Sequence, residues 1–341
     1  MTANISGFFP RYSNANKCFF LPEPDFDMIG ERRVSNFITA IINAGSCPVA
    51  VLANLFIIIV IARRPSLQNP SNVLLAGLAC SDLLVGLIVQ PCYVTFRLME
   101  NVAKFVPCGF RVVYSESFWV CYGVSFMTLS AISIERYLAL RLHLRYKGII
   151  TTRRVLFAII LIWIIDVLLT SLQWIAEGTT HVRRTQLVLF MVCLLVTLIA
   201  HLRMLTIMRR HHKQIQVQLS NASSLHVQSK LAVNVMYIVG FYLILNMPVM
   251  VVTLSTYVNG SHFNRNVFSW VETIAFCNSS LNPILCCWRN ADIRKGVESL
   301  VCSRIRILAS GHKTQNSIRS IAYNENGTIP ENIKTFENQQ S

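Results

Sequence analysis

The sequence predicts an all-α membrane protein built as a bundle of seven transmembrane helices. Of its 341 residues, 53% are hydrophobic and only 14% are charged, whereas about a quarter of the residues of a soluble domain are charged. Apolar stretches of about 20 residues or more, long enough to cross a hydrocarbon core of about 30 Å, recur with polar breaks between them. The predicted spans are 37–62, 72–96, 112–140, 155–176, 185–208, 231–257 and 266–288.

The charges of the loops predict the orientation of these spans. Loops 63–70, 141–154 and 209–230 together hold eleven Lys or Arg residues and no Asp or Glu, while the loops of the opposite side hold six basic and two acidic residues. Because basic loops stay in the cytosol, we expect a multi-pass protein with its N terminus outside. This topology accounts for much of the net charge of +15, so a nucleic-acid partner is not expected.

The segments that flank the spans have their own character. Residues 1–36 show no basic stretch followed by an apolar core, so the first span is expected to start insertion, and this segment is expected to be extracellular. Asn4 and Asn259 begin Asn-X-Ser sequons on the predicted outer side and are candidate glycosylation sites. Residues 303–341 are rich in Asn, Ser, Gln and charges, which predicts a disordered cytosolic tail after a membrane domain at 37–302.

Polar side chains inside the spans concentrate at one depth. A polar group in hydrocarbon is costly, so each of them is a candidate functional residue. Asp82 is the only acid deep in the second span. The nearby hydroxyl and amide oxygens predict either a small cation site, for which sodium is the candidate ion, or a hydrogen-bonded network that packs the helices. The cluster consists of Asn54, Asp82, Ser125, Asn278, Ser279 and Asn282.

Two prolines and one charged pair suggest that the cytosolic ends of the predicted helices can move. Pro248 and Pro283 each remove a backbone hydrogen bond from a predicted helix, which produces either a static kink or a bend about which the cytosolic end can swing. Glu135 and Arg136 stand where the third span leaves the membrane. Arg136 is either an interfacial anchor or part of a charged latch that holds the bundle shut.

In their order and spacing, these motifs resemble those of class A, rhodopsin-like, G-protein-coupled receptors. The resemblance covers about residues 37–302 and rests on LAGLACSD at 75–82, ERYLAL at 135–140, Trp163, Pro248 and NPILC at 282–286. It implies a plasma-membrane receptor that binds an extracellular ligand and activates a heterotrimeric G protein, with arrestin as a further partner. It also implies that the protein is not an enzyme.

The resemblance assigns roles to single residues. Arg136, with Glu135 and Tyr137, would engage the G protein, and Pro248, Asn282 and Pro283 would take part in the helix rearrangement. The predicted cation site matches the family's pocket for an allosteric sodium ion, and no other cofactor is implied; its residues are Asp82, Ser125, Asn278, Ser279 and Asn282. Residues 289–302 would form a short amphipathic eighth helix on membrane lipid, with Cys302 as a candidate palmitoylation site.

Several positions depart from the family's pattern. Cys286 replaces its usual tyrosine and Asn246 its usual tryptophan, so we expect weak restraint of the resting state and appreciable basal signalling. The second outer loop is short and has no cysteine, which leaves Cys18 and Cys108 as candidates for a different bridge. The short loop, the missing bridge and the proline-free fifth span resemble the melanocortin, adenosine, cannabinoid and lysophospholipid receptors.

The outer halves of the spans predict a small-molecule pocket with aromatic walls and few polar anchors. Phe118 stands where amine receptors carry an aspartate, which disfavours a biogenic amine. Glu272 either binds a cationic ligand or peptide or pairs internally with Arg97 or another outer basic residue. By helical phase the pocket is lined by Gln90, Phe118, Trp119, Tyr122, Asn246, Met250 and Glu272.

The sequence leaves three other functions as alternatives to a signalling receptor. A transporter or channel would need a polar path through the membrane, whereas the polar cluster stops at mid-depth. A membrane enzyme would need a catalytic motif, and neither HExxH nor GxSxG occurs. A decoy receptor of the same fold, which binds its ligand without coupling, is consistent with Asn246 and Cys286.

Overall fold

A computed structural model describes residues 18, 19, 21, 29–142, 145–175, 179–215, 223–259 and 265–302. Asn4 and the predicted tail 303–341 lie outside the described residues, and the side chain of Asn259 is not described either. The chain divides into two units, Met1–Ile293 and Arg294–Ser341. The described part of the first unit holds seven long helices: α1 (Ile29–Arg63), α2 (Pro70–Ala103), α3 (Cys108–Leu142), α4 (Thr152–Ile175), α5 (Thr179–Ile215), α6 (Ser223–Asn259) and α7 (Arg265–Arg289).

Six of these helices, α1 to α6, are long and apolar enough within the described residues to cross a membrane. Helix α7 falls short of that apolar standard because it carries buried Glu272, Asn278 and Asn282. It nevertheless packs against α1 and α6 as part of the bundle. The protein is therefore a seven-transmembrane helix bundle, and residues 291–302 are helical as well, where the eighth helix was predicted.

The helices are longer than the apolar runs that predicted them. Helix α1 begins at Ile29 rather than at residue 37, α5 extends over Thr179–Ile215, and α6 over Ser223–Asn259. Apolarity ends at the membrane surface, whereas backbone hydrogen bonds continue a helix into water. The sequence pattern therefore located the spans correctly but underestimated the lengths of the helices.

Helix α2 contains two irregular turns that the sequence pattern did not predict. Its backbone takes the wider π form at Val85–Val89 and again at Met99–Ala103. The first π turn lies just before Pro91, whose ring removes one backbone donor, and such turns are common near functional sites. Within it, Gly86 touches α1 so closely that a Cβ there would lie 2.8 Å from a methyl carbon of Val51.

Helix α3 is the centre of the bundle. It contacts α2, α4, α5 and α6, while α1 contacts α2 and α7. Polar side chains of α3 such as Ser125 and Ser133 are buried, whereas Leu168 of α4 and Val188 of α5 are exposed on outward faces. The polar groups thus face the interior and the apolar ones face the surroundings, as a bilayer requires.

The contact between α3 and α4 includes an acid that the sequence analysis did not single out. Asp166 is completely buried, and neither of its carboxylate oxygens has a hydrogen-bond partner among the described residues. It lies against Gly123 of α3, where a Cβ would be only 2.1 Å from the Asp166 Oδ1 atom. The carboxyl group therefore requires a glycine at this position of α3.

Gly123→Ala is expected to lower the free energy of unfolding by about 1–3 kcal/mol, because the added methyl overpacks the site. In an Asp166→Ala background, the same methyl is expected to cost little, since the carboxyl group it meets is gone. The measurement is the Tm of the four purified proteins of this double-mutant cycle. Equal losses in the two backgrounds would show that the contact does not limit packing.

Candidate ligand and signalling site

We define the outer end of the bundle as the end that carries Arg32 and Cys108, and the inner end as the one that carries Arg136. At the inner end, the Arg136 guanidinium donates to the carboxylate of Glu135 through Nε at 2.6 Å and through Nη2 at 2.9 Å. Both side chains are buried. This bidentate pair compensates a charge that would otherwise be costly at such a position.

The short helix Tyr146–Ile149, between α3 and α4, adds a third member to the pair. The hydroxyl group of Tyr146 donates a hydrogen bond to Oε1 of Glu135. Burial raises the pKa of the Tyr146 phenol, and the charge of Glu135 raises it further, so the phenol keeps its proton at physiological pH. Sequence reasoning missed Tyr146, because no spacing rule connects a loop tyrosine to the end of α3.

Tyr137, the neighbour of Arg136, points elsewhere. It packs on the cluster formed by Leu140 of α3 and Met204 of α5. Its hydroxyl oxygen accepts a hydrogen bond from Nη1 of Arg141 at 3.0 Å. Tyr137 therefore joins α3 to α5.

At mid-depth the structure brings the predicted polar cluster together. Asp82 accepts hydrogen bonds from Oγ of Ser279 at 2.7 Å and from Nδ2 of Asn282 at 2.8 Å. Asn54 of α1 donates to the backbone oxygen of Ser279 at 2.9 Å. The cluster thus ties α1, α2 and α7 together, as its interpretation as a packing network predicted.

The same cluster offers oxygen ligands to a cation. Ser125 bonds to Oγ of Ser81 at 2.9 Å rather than to Asp82. Asn278 keeps a buried carbonyl oxygen with no partner among the described residues. Carboxylate, hydroxyl and amide oxygens are what a hard cation prefers, so the residues present fit a sodium ion. The sequence analysis missed Ser81, although it directly precedes Asp82.

Of the predicted pocket residues, Phe118, Tyr122 and Asn246 line a cavity, and Asp82 lines the same cavity. Tyr122 donates from its hydroxyl group to the backbone oxygen of Asn246 at 3.3 Å, which connects α3 to α6. The remaining predicted residues, Gln90, Trp119, Met250 and Glu272, lie outside the lining of this cavity.

Two of these remaining residues, Gln90 and Trp119, have contacts elsewhere in the bundle. Gln90 is fully buried and donates from Nε2 to Oγ of Ser46 on α1 at 2.7 Å. Trp119 packs edge-on against Phe118, with ring centroids 5.0 Å apart. Helical phase alone did not anticipate the direction of Gln90, because the π turn that precedes it rotates the rest of α2.

A buried charge cluster closes the outer end of α1, α2 and α7. Arg97 donates to Glu100 at 3.0 Å and to Glu272 at 3.3 Å. Glu100 also accepts from Arg32 at 3.4 Å and from Nδ2 of Asn36 at 3.2 Å. Glu272 is thus held by Arg97, the internal alternative of the sequence analysis, while Glu100 and Arg32 were not foreseen.

A disulfide joins the N-terminal segment to α3. Cys18 is bonded to Cys108, with the two Cα atoms 5.4 Å apart. Nearby, Arg111 donates to the backbone oxygen of Leu21 at 3.1 Å, and the ring of Phe19 meets that of Trp174 with centroids 5.6 Å apart. Cys302, the candidate palmitoylation site, is a free and exposed thiol.

Comparison with known proteins agrees with this arrangement. Residues 53–188 match the family described as 7 transmembrane receptor (rhodopsin family). Over these residues the chain is similar to this receptor family. The receptor is 27% identical to the histamine H2 receptor of Homo sapiens over 296 residues, which cover 80% of this chain and 81% of the relative.

Two adenosine receptors are also similar to this receptor. Adenosine receptor A2b of Mus musculus is 24% identical over 294 residues, which cover 74% of this chain and 86% of the relative. Adenosine receptor A3 of Ovis aries is 33% identical over 132 residues, which cover 39% of this chain and 40% of the relative. The predicted relation to the receptor group that includes the adenosine receptors is confirmed.

Arg97→Met is expected to lower the free energy of unfolding of the receptor by about 3–5 kcal/mol, because it leaves two buried carboxylates without their shared cation. Adding Glu272→Gln should recover part of this loss, since one of the stranded charges is then removed. The Tm of the purified receptor measures both effects.

The matched control is the exposed pair of Arg294 and Glu298, 3.9 Å apart. Arg294→Met should change stability by about 1 kcal/mol or less, the usual value of a solvated ion pair. Similar losses at the two arginines would contradict a structural role for the buried cluster.

Proposed function

We propose that this receptor binds an extracellular ligand between the outer halves of its helices and activates a heterotrimeric G protein at its inner end. The observation that carries the proposal is the buried pair of Glu135 and Arg136, closed by Tyr146. A buried arginine held by a neighbouring carboxylate can be released to a partner when the helices around it separate.

The proposed orientation places the N terminus and the outer end in the extracellular space and the inner end in the cytosol. The excess of Lys and Arg in loops 63–70, 141–154 and 209–230 supports it. The disulfide between Cys18 and Cys108 supports it too, since such bonds persist in an oxidising environment. We place the receptor in the plasma membrane, with Asn4 and Asn259 as glycosylation sites and residues 303–341 as its cytosolic tail.

An allosteric sodium ion is part of the proposal, and no other cofactor is. Its ligands would come from Asp82, Ser125, Asn278 and Ser279, with Asn282 positioning Asp82 through the bond at 2.8 Å. A bound cation would add a positive charge beside Asp82, whose partners among the described residues are the neutral side chains of Ser279 and Asn282. Ion binding would thereby stabilise the arrangement of α2, α3 and α7 seen here.

Movement of α6 and α7 relative to α3 would transmit ligand binding to the inner end. Both helices contain an internal proline, Pro248 and Pro283. Proline removes a backbone hydrogen bond, which lowers the cost of bending there. Arrestin is proposed as a further partner of the inner end, and membrane lipid as a partner of helical residues 291–302 and Cys302.

Arg136→Ala is expected to abolish ligand-dependent nucleotide exchange while ligand binding persists. The matched control is Arg141→Ala, which removes an exposed arginine from the last turn of the same helix. Histamine and adenosine, which the relatives' names supply, are the first ligands to test, followed by a ligand library with a promiscuous G-protein reporter. A response that survives Arg136→Ala would contradict the role given to Arg136.

Tyr146→Phe is expected to raise ligand-independent signalling by about two- to tenfold, because a hydrogen bond to a charged group contributes about 1.5–3 kcal/mol and part of it restrains the resting state. Second-messenger levels of transfected cells, corrected for surface expression, measure the effect.

Wild-type output equal to mock transfection would count against the expected basal signalling. Ligand binding without any exchange would instead favour a decoy receptor, which Asn246 and Cys286 make worth testing.

A further inference from the structure

The acid between α3 and α4, Asp166, has surroundings unlike those of Asp82. Asp82 accepts two hydrogen bonds, whereas neither carboxylate oxygen of Asp166 has a partner among the described residues. The side chain of Asp166 is completely buried. It precedes the outer end of α4 at Ile175 by nine residues, roughly 14 Å at 1.5 Å per residue. An acid without any hydrogen-bond donor is thus placed at membrane depth.

Asp166 is the deepest member of a polar strip on the inward face of α4. Thr170 and Gln173 follow Asp166 at the spacing of one helix face, and both are buried. Thr170 accepts a hydrogen bond from Nε2 of Gln186 on α5 at 3.2 Å. The outward face of α4 is apolar and exposed, with Ile165, Leu168 and Leu172 among its side chains. We call Asp166, Thr170 and Gln173 the polar strip.

Glu116 of α3 lies where the polar strip approaches the outer end. Its carboxylate accepts hydrogen bonds from Oγ of Ser171 at 2.9 Å and from Nε2 of Gln173 at 3.5 Å. It also accepts one from Nε1 of Trp174. Three donors of this kind can stabilise an ionised carboxylate, and Asp166 has none of them.

The charged and titratable groups that face Asp166 do not compensate a negative charge. Among the described residues they are Glu116 and the thiol of Cys121 on α3 and the thiol of Cys193 on α5. Helix α2 also packs on α4, and it brings Gly77 to that contact. An ionised Asp166 would therefore be buried without a counter-charge and would be repelled by Glu116, which is costly.

A metal ion does not fit beside this carboxyl group. A Cβ at Gly123 would lie 2.1 Å from Oδ1, 2.6 Å from Cγ and 2.7 Å from Oδ2 of Asp166, so the group lies directly against the backbone of α3. Hard cations need several oxygen ligands. No polar group of the described residues contacts the Asp166 oxygens, and no three His, Cys, Asp or Glu side chains among those residues could hold a metal ion. A proton requires neither space nor further ligands.

We propose that Asp166 is a proton-binding site and that its protonated form packs α4 against Gly123 of α3. One proton passes from solvent to a carboxylate oxygen and leaves the group neutral. A neutral carboxyl group is buried at far lower cost than an ion. The hydroxyl and amide groups of the polar strip can donate and accept hydrogen bonds along the way from Glu116. The proton thus stabilises the position of α4 on α3, the helix that also carries Arg136.

The first test is infrared spectroscopy of the purified full-length receptor in lipid nanodiscs, without ligand or G protein. The C=O stretching band of a protonated carboxyl group is recorded between about pH 5 and about pH 8. Asp166→Asn should remove one such band, because asparagine has nearly the shape of the neutral acid but carries no carboxyl group. Thr170→Val, a change of similar volume one turn along the polar strip, is the matched control and should keep the band.

The second test is the pH dependence of stability. An aspartate in the unfolded chain is ionised above about pH 4, so the folded receptor holds one proton that the unfolded chain has released. Stability should therefore fall as the pH rises, until Asp166 loses its own proton. Over this range the folding equilibrium of the wild type should weaken about tenfold more per pH unit than that of Asp166→Asn, the effect of one proton. The Tm at each pH measures the difference, and Thr170→Val should keep the wild-type slope.

Asp166→Ala, which removes the polar group altogether, is the second variant and should reproduce both results of Asp166→Asn. The proposal is overturned by a carboxyl band that persists in both variants, or by equal pH slopes in these variants and the wild type. Loss of the band in Thr170→Val would also overturn it, because the proton would then belong to the hydrogen-bonded part of the polar strip. Nucleotide exchange enters none of these measurements, so they decide the proton site whether or not the receptor couples to a G protein.

Discussion

A charged side chain inside a bilayer has to find its partner within the protein, because lipid offers none. This constraint explains where the charges of the receptor are found. At the outer end Arg97 is shared by two glutamates, and at the inner end Arg136 is held by Glu135. Between them lies Asp82, whose two hydrogen-bond donors are neutral. Among the described residues, the bundle therefore has a compensated charge cluster at each end, and Asp82 at its centre has no cationic partner.

The difference between the ends and the centre has a physical consequence. A fully paired cluster gains little from an additional ion, since its charges already balance. An acid with neutral partners gains from any cation that reaches it, and the cavity beside Asp82 provides the space. The centre is thus where the binding of a small ion can change the relative stability of helix arrangements.

The sequence predicted the fold and the members of the central cluster because both depend on what a bilayer forbids. Apolar runs located the seven helices, and Asp82 and Asn282 stood out as polar residues within them. The ends of α5 and α6 were missed because helices continue beyond the apolar part.

The directions of the side chains and the contacts between distant residues were harder to predict than which residues belong to the central cluster. Gln90 faces α1 after a π turn that no residue pattern marks, and Tyr146 reaches Glu135 from a separate short helix. The pairing of Arg97 with Glu272 was one of two alternatives, and only the packing of α2 against α7 decides between them. Such contacts depend on the rotation of each helix about its axis, which composition and spacing leave open.

The contact between Tyr122 and Asn246 shows how the centre can influence the inner end. The hydroxyl group of Tyr122 on α3 reaches the backbone of α6 across the cavity, and Pro248 follows two residues later inside the same helix. A molecule that fills the cavity would contact both residues, close to the proline that interrupts the backbone hydrogen bonds of α6. Because α3 also carries Glu135 and Arg136, a movement of α6 relative to α3 would also move α6 relative to that pair. Ligand binding and release of the inner pair would then be two effects of one helix movement.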